Sequence, residues 1–405
     1  MNKSPRLVAL ETLYSIFYDG SYSNIALDKA LSDIKENKAF ISALVYGVTE
    51  RKITLDYFID KYAQGRIKPK VRIVLWLGAY QLLFMDKVPS SASINESVKL
   101  VKEIKQDYYS KLVNAVLHKI DNDRQIPDDL SVKYSVPENL INMWKKQYGE
   151  DVLNEFLPCI NDKPPLFAIP NKKFVNSDEL LYELECDGIL GEAYDEFVLI
   201  ENANDLTDSK AFKNGLFYIE DLSSFNCANA LDALGDDLVL DMCSAPGGKA
   251  FTISQSMNNS GKIYCYDLHE HRLNLIKNSV KRLSIDNIYT DVNDATVYNE
   301  NIPKADKILC DVPCSGFGII RRKPEIRYKD LDSVKDLPQI QYKILETSSR
   351  YLKNGGRIIY STCTLNKKEN ENVVNKFLKD HSGYKLLKDK TVFPSTVGGD
   401  GFYYA

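Results

Sequence analysis

Residues 237–267, DLVLDMCSAPGGKAFTISQSMNNSGKIYCYD, decide the fold of this chain. A short apolar run ends in Asp241, a glycine-rich turn follows, and a segment of helical period leads to a second apolar run ending in Asp267. Strand, turn, helix, strand is the repeating unit of a parallel sheet. The alternation continues through EHRLNLIKNSVKRL as a helix, NIYTDV and ADKILCD as strands and PQIQYKILETSSRYLK as a helix. GRIIYSTC then reads as a strand, NENVVNKFLKD as a helix and GFYYA as a closing strand. The expectation is a doubly wound, mostly parallel α/β domain. In such domains ligands sit at the carboxyl ends of the strands.

Those strand ends carry the polar residues. In DMCSAPGGKA, Pro246 fixes the turn, while Gly247 and Gly248 let a ligand approach the backbone closely. A phosphate-binding loop needs G-x-x-x-x-G-K-[ST], but Cys243 and Ala250 occupy its first and last positions. The dinucleotide fingerprint G-x-G-x-x-G is absent as well. Asp267, at the end of the second strand, can accept both hydroxyls of a ribose. Asp294, after the third, suits an adenine amino group. Each acid alone reads as a cap or a solvated residue; together they describe a nucleoside pocket without a phosphate, which fits S-adenosylmethionine.

The fourth and fifth strands end in DVPCSG and YSTCTL, placing Asp311, Cys314 and Cys363 at the same sheet edge. Free cysteines are usually small buried hydrophobes, and Cys159, Cys186, Cys227, Cys265 and Cys310 are assigned that role. Two thiols and a carboxylate facing one pocket suit a different chemistry. Carbon 5 of a pyrimidine becomes nucleophilic once a thiolate adds at carbon 6, and a neighbouring acid must then engage N3. Residue chemistry alone leaves open which thiol attacks.

Composition bounds the rest. The 405 residues exceed a usual single domain, and 44% apolar with 27% charged residues describe an ordinary globular chain. The net charge is −4, but residues 1–125 hold 19 basic against 14 acidic side chains. A mildly basic front weakly suggests a polyanionic partner. Eight scattered cysteines without a C-x-x-C pair, and four histidines, argue against disulfides and against a metal site. The N-terminus lacks an apolar signal core, so a cytoplasmic location is expected. Residues 1–125 read as an all-α bundle of helix-sized apolar segments with short connections. Residues 126–215 read as a polar linker followed by a small α+β module, and 216–405 as the α/β domain.

DMCSAPGGKA, DVPCSGFGIIRRKPEIRY and YSTCTLNKKENE together resemble the NOL1/NOP2/Sun family of RNA cytosine carbon-5 methyltransferases. VRIVLWLGAYQLLFMDKVPSSASINESVKLVKEI, with KLVNAVLHKI, resembles the helical antitermination factor NusB. The resemblance spans nearly the whole chain and is weakest at 126–215. It implies a NusB-like helical RNA-binding domain, an RNA-binding middle module and a Rossmann-like S-adenosylmethionine-dependent methyltransferase domain, working as a monomer on one cytosine of 16S ribosomal RNA. Cofactor contacts are implied at Cys243, Ser244, Ala245, Pro246, Gly247, Gly248, Lys249, Asp267, Asp294 and Asp311. Cys363 is implied as the nucleophile and Cys314 as the thiol that helps release product. Arg321, Arg322, Lys323 and Arg327 are assigned to RNA phosphates, with Lys68, Lys70 and Arg72 as further contacts. Transfer RNA as substrate, or a non-enzymatic RNA binder, are the competing readings. Three departures stand out: Ile169 where relatives carry an arginine, Phe317 at a position that is commonly small or polar, and a short last strand at GFYYA.

Overall fold

The computed structural model describes residues 3–202, 206–394 and 398–405. Two compact units form. One comprises Met1–Asp162 with Ile320–Asp330, the other Lys163–Ile319 with Leu331–Ala405.

The first unit is helical: α1 (Pro5–Tyr18), α2 (Ser23–Leu31), α3 (Lys38–Tyr62), α4 (Pro69–Phe84), α5 (Ser90–Glu103), α6 (Ser110–Asn122), α7 (Leu130–Tyr134), α8 (Glu138–Tyr148) and α9 (Glu150–Phe156). Apolar side chains three and four residues apart, such as Val113, Val116, Leu117 and Ile120 on α6, turn one face inward. α4 differs, because it is apolar nearly all round. It is accordingly buried along most of its length, with Val74, Trp76 and Leu77 in a core shared with Leu13, Leu44 and Phe58. Arg72 is committed to this unit's own acids, reaching Asp56 at 2.7 Å and Asp60 at 2.8 Å. Lys68 donates to Gln106, and Lys70 lies over the Tyr14 ring.

The stretch expected to be a linker is folded. Asp129 caps α7, Ser135 accepts from the Ile53 amide, and Thr54 donates to the Val132 carbonyl, so α7 is laced to α3. The basic segment after the Pro-Cys motif also differs from its reading. Arg327 is buried, and its Nη1 donates to the carbonyls of Glu50 at 2.9 Å and Ser135 at 3.1 Å and to Asn161 Oδ1 at 2.8 Å. Arg321 is buried too, whereas Arg322 and Lys323 are partly exposed. The phosphate-binding assignment therefore fails for Arg327 and Arg321: their guanidinium groups lie inside, not on a surface open to RNA.

The second unit holds two sheets. β1 (Leu166–Pro170), β2 (Gly191–Ala193), β3 (Val198–Ile200) and β4 (Phe217–Ile219) form an antiparallel sheet in the order β2-β3-β1-β4. α10 (Ser177–Cys186), held by a capping box between Asn176 and Glu179, and α11 (Lys210–Lys213) accompany it. Ile169 is fully buried opposite Tyr218, so this position packs the core where an arginine was the expected family residue.

The larger sheet contains β5 (Leu238–Asp241), β6 (Lys262–Asp267), β7 (Ile288–Val292), β8 (Ala305–Asp311), β9 (Leu352–Thr362), β10 (Lys390–Val392) and β11 (Phe402–Tyr404). Its order is β10-β11-β9-β8-β5-β6-β7. The five strands β7, β6, β5, β8 and β9 run parallel, and β11 and β10 are antiparallel. Helices α12 (Leu222–Ala230), α13 (Gly248–Ser256), α14 (Glu270–Leu283), α15 (Leu337–Ser349) and α16 (Glu371–Asp380) complete the layers. Apolar clusters cover both faces, one around Val239, Ile263 and Phe402 and the other around Ile308, Tyr360 and Phe377. A sheet buried on both faces explains the near-continuous apolar runs of its strands. Among the described residues no helix is long and apolar enough to cross a membrane.

Arg327→Met keeps most of the side-chain bulk but removes the buried donor that the carbonyls of Glu50 and Ser135 and Asn161 Oδ1 share. Removing one side of such a buried polar cluster costs about 3 kcal/mol. Denaturant unfolding of the full chain, followed by circular dichroism, should show the helical transition at lower denaturant than in the wild type.

Candidate active site

Strand order delivers the site. With β8 between β5 and β9, Asp241, Asp311 and the Thr362–Cys363 junction emerge side by side at one edge. The two cysteine loops meet there, with the sulfurs of Cys314 and Cys363 3.3 Å apart. Asp311 accepts from Ser361 Oγ at 2.8 Å and pairs with Lys249 Nζ at 2.8 Å. Lys249 also donates to Ser224 Oγ and lies over the Phe402 ring.

The glycine turn joins this constellation from below. The Ala245–Pro246 peptide is cis, and Gly247 has φ +108°, a conformation that a side chain would resist. Gly248 makes room for a side chain instead: a Cβ there would stand 1.4 Å from Glu220 Oε2, so the carboxylate would have to move. The Ser244 amide donates to the Tyr266 carbonyl and its hydroxyl to that of Asp241, so the turn is pinned to two strands. Arg272, on α14, ties the turn to the next strand end. Its Nη2 donates to the Ala245 carbonyl at 2.7 Å, and Nη1 pairs with the buried Asp267 at 3.1 Å.

The cofactor residues named from sequence thus gather in one unit, with different degrees of burial. Ser244, Ala245, Gly247 and Asp267 are buried, Cys243, Gly248, Lys249 and Asp311 are partly exposed, and Pro246 and Asp294 are exposed. Asp294 holds a local turn, accepting from the Thr296 amide and hydroxyl through one oxygen. Phe317 is fully buried. Of the cysteines assigned to packing, Cys227, Cys265 and Cys310 are buried, Cys159 is partly exposed and Cys186, on α10, is exposed instead of buried.

Sequence reasoning missed Glu220, Arg272 and Glu369. Glu220 follows β4, so it comes from the smaller sheet, and no motif spacing connects it to Lys249. Its burial, followed by the nearby charges, pushes its carboxyl up to about 7, with Lys249 opposing and Asp221 and Asp311 reinforcing. Burial pushes Asp241 up to about 7 as well, with Asp311 reinforcing. Burial alone would lower Lys249, but Asp311 and Glu220 beside it hold it above its ordinary value. The Cys314 thiol is raised well above the usual range, first by its hydrogen bond with Cys363 and then by burial.

This donor set favours a particular ligand. Buried Asp241 Oδ1 has no hydrogen-bond partner among the described residues. Carboxylates at four successive strand ends, with glycines admitting close backbone approach, suit a positively charged group and hydroxyls and would repel a phosphate. S-Adenosylmethionine, with a sulfonium and a ribose, has that chemistry. Among the described residues no cluster of histidine, cysteine and acidic side chains could hold a metal ion.

Comparison with known proteins adds the lineage. Residues 228–405 match the family described as 16S rRNA methyltransferase RsmB/F, and residues 3–122 match the NusB family. The probable ribosomal RNA small subunit methyltransferase B of Bacillus subtilis is 32% identical, covering 99% of this chain and 97% of its own. Its counterpart in Synechocystis is 30% identical over 94% of this chain and 90% of its own. The crystal structure of PH0851 superposes with a TM-score of 0.82 and 26% identity, covering 100% of this chain and 98% of that one.

The raised Glu220 carboxyl sets a pH dependence. Its folded value of about 7 exceeds an unfolded value of about 4, so the folded state binds the extra proton between them. Its contribution to stability is therefore largest below pH 4 and is lost as pH rises toward 7. Glu220→Gln should flatten the fall in melting temperature between pH 5 and pH 8, measured without cofactor. An unchanged slope would remove Glu220 as its source.

Proposed function

The chain belongs to the ribosomal RNA small subunit methyltransferase B family, and we propose that it methylates carbon 5 of a cytosine in 16S ribosomal RNA through a covalent bond from Cys363. The observation that carries this reading is the pair of sulfurs 3.3 Å apart beside the Lys249–Asp311 ion pair. A methyltransferase acting on an exocyclic amine has no use for two thiols at this edge. One acting on carbon 5 requires a thiol nucleophile.

S-Adenosylmethionine supplies an electrophilic methyl group when bound, and residues 243–249, Asp267, Asp294 and Asp311 are the side chains and backbone that would hold it. The chain's own groups do the rest. The target base must leave its stack to reach them. Cys363 adds as thiolate to carbon 6, forming a C–S bond and moving electron density to carbon 5. Asp311 passes a proton to N3 as the thiolate adds, and Lys249 at 2.8 Å balances the carboxylate this leaves. After carbon 5 is methylated, its proton passes to water, the double bond between carbons 5 and 6 re-forms, the C–S bond breaks to release the Cys363 thiolate, and the N3 proton returns to Asp311. Cys314, 3.3 Å from the Cys363 sulfur, would assist that release, and its raised thiol supports this reading. The partly exposed Arg322 and Lys323 are the residues of the basic segment assigned to the RNA backbone.

Two substitutions test the roles. Cys363→Ala should abolish methyl transfer to unmodified small-subunit RNA, and no covalent adduct should form. Cys314→Ala should instead accumulate an RNA–protein adduct that survives denaturing electrophoresis. An adduct that persists without Cys363 and vanishes without Cys314 would reverse the assignment. Transfer to transfer RNA in preference to 16S RNA would move the substrate.

A further inference from the structure

Glu369 lies in the turn before α16, six residues after Cys363 in the stretch YSTCTLNKKENE, and is fully buried. A buried carboxyl is costly unless its oxygens are satisfied, and here both are. Oε2 accepts from the Ser315 amide at 2.8 Å and Gln341 Nε2 at 3.0 Å. Oε1 accepts from Ser315 Oγ at 2.6 Å and Asn366 Nδ2 at 2.8 Å. Ser315 follows Cys314 directly, and Asn366 lies on the loop that begins at Cys363. Gln341, from α15, also donates to the Pro313 carbonyl at 3.0 Å, and Ser315 Oγ meets Thr364 Oγ1 at 2.7 Å. One carboxyl group thereby holds the loop of each thiol.

We propose that Glu369 is the positioning residue that sets the separation of the Cys314 and Cys363 sulfurs. The inference depends on the covalent reading only for what that separation is used for. Its geometry demands an acceptor at both oxygens. Glu369→Gln keeps the size but offers one acceptor and one NH2 group. The Ser315 amide cannot reverse its polarity, so the new carbonyl must face it. The NH2 group then faces Asn366 Nδ2, donor against donor, and turning the Asn366 amide over gives up the bond its Oδ1 accepts from the Lys368 amide, so the Cys363 loop is held less firmly either way.

Thiol cross-linking measures this spacing without any methyl transfer. Diamide converts two neighbouring thiols to a disulfide and is itself reduced to the hydrazine, and peptide mapping identifies the Cys314–Cys363 bond. The sulfurs need to approach from 3.3 Å to about 2.05 Å. In full-length protein, Glu369→Gln should slow formation of this bond about tenfold, a loss typical of misplacement by a fraction of an ångström. In methyl-transfer assays kcat should fall with it while KM for RNA stays within about twofold. Ser315→Ala, which removes the hydroxyl shared by Glu369 and Thr364, should slow cross-linking as well and decides the matter if Glu369→Gln does not fold. Cross-linking at the wild-type rate in a folded variant overturns the proposal. Methyl transfer that survives Cys363→Ala would refute the covalent route instead and leave the cross-linking comparison to judge Glu369.

Discussion

Parallel pairing of β8 with β9 sets Asp311 opposite Ser361. Because side chains alternate along a strand, a slip of one residue would turn every group on β9 to the opposite face. At the observed register Ser361 Oγ reaches Asp311, and the chain continues two residues to Cys363. Asp311 is followed three residues later by Cys314, and the two excursions bring sulfur to sulfur. β5, on the other side of β8, pairs Asp241 with Leu309 and launches the glycine turn that carries Lys249. Three adjacent strands therefore deliver an acid, its cation and two thiols to one place. No loop has to find another by chance.

The electrostatics follow from the same crowding. Glu220, Asp241, Asp267 and Asp311 share a partly desolvated edge, and Lys249 answers mainly Asp311. Burial, reinforced by the neighbouring like charges, disfavours the ionised forms of Glu220 and Asp241. A bound cation would relieve what the lysine cannot reach, whereas a phosphate would add to the repulsion. Arg272 serves the opposite purpose. By holding Asp267 and the Ala245 carbonyl together it stiffens the turn at some distance from Lys249.

The parallel strands and their helices were readable because each is long, apolar and periodic, and the site residues were readable where a motif places them next to a strand end. Contacts between distant segments were not. Glu220 follows a strand of the other sheet, and only the missing Cβ of Gly248, seen in space, reveals their approach. Glu369 looks like one charge in a polar run, KKENEN, until its four donors are counted. The antiparallel β10 is three residues long and carries no periodicity to find. Arg327 shows the limit most plainly: charge in a sequence says nothing about solvation, and this guanidinium is spent on main-chain carbonyls. The linker reading failed for a related reason, since Asp129, Ser131 and Ser135 cap and lace α7 instead of meeting water.

Two thiols in contact cannot be equivalent when their surroundings differ. The hydrogen bond with the Cys363 sulfur, followed by burial, favours the neutral form of Cys314. In the proposed route that thiol, 3.3 Å from the Cys363 sulfur, stands beside the C–S bond whose breaking it would assist. The residue chemistry of the sequence allowed either order of attack and release; the family resemblance is what favours attack from the Thr-Cys loop.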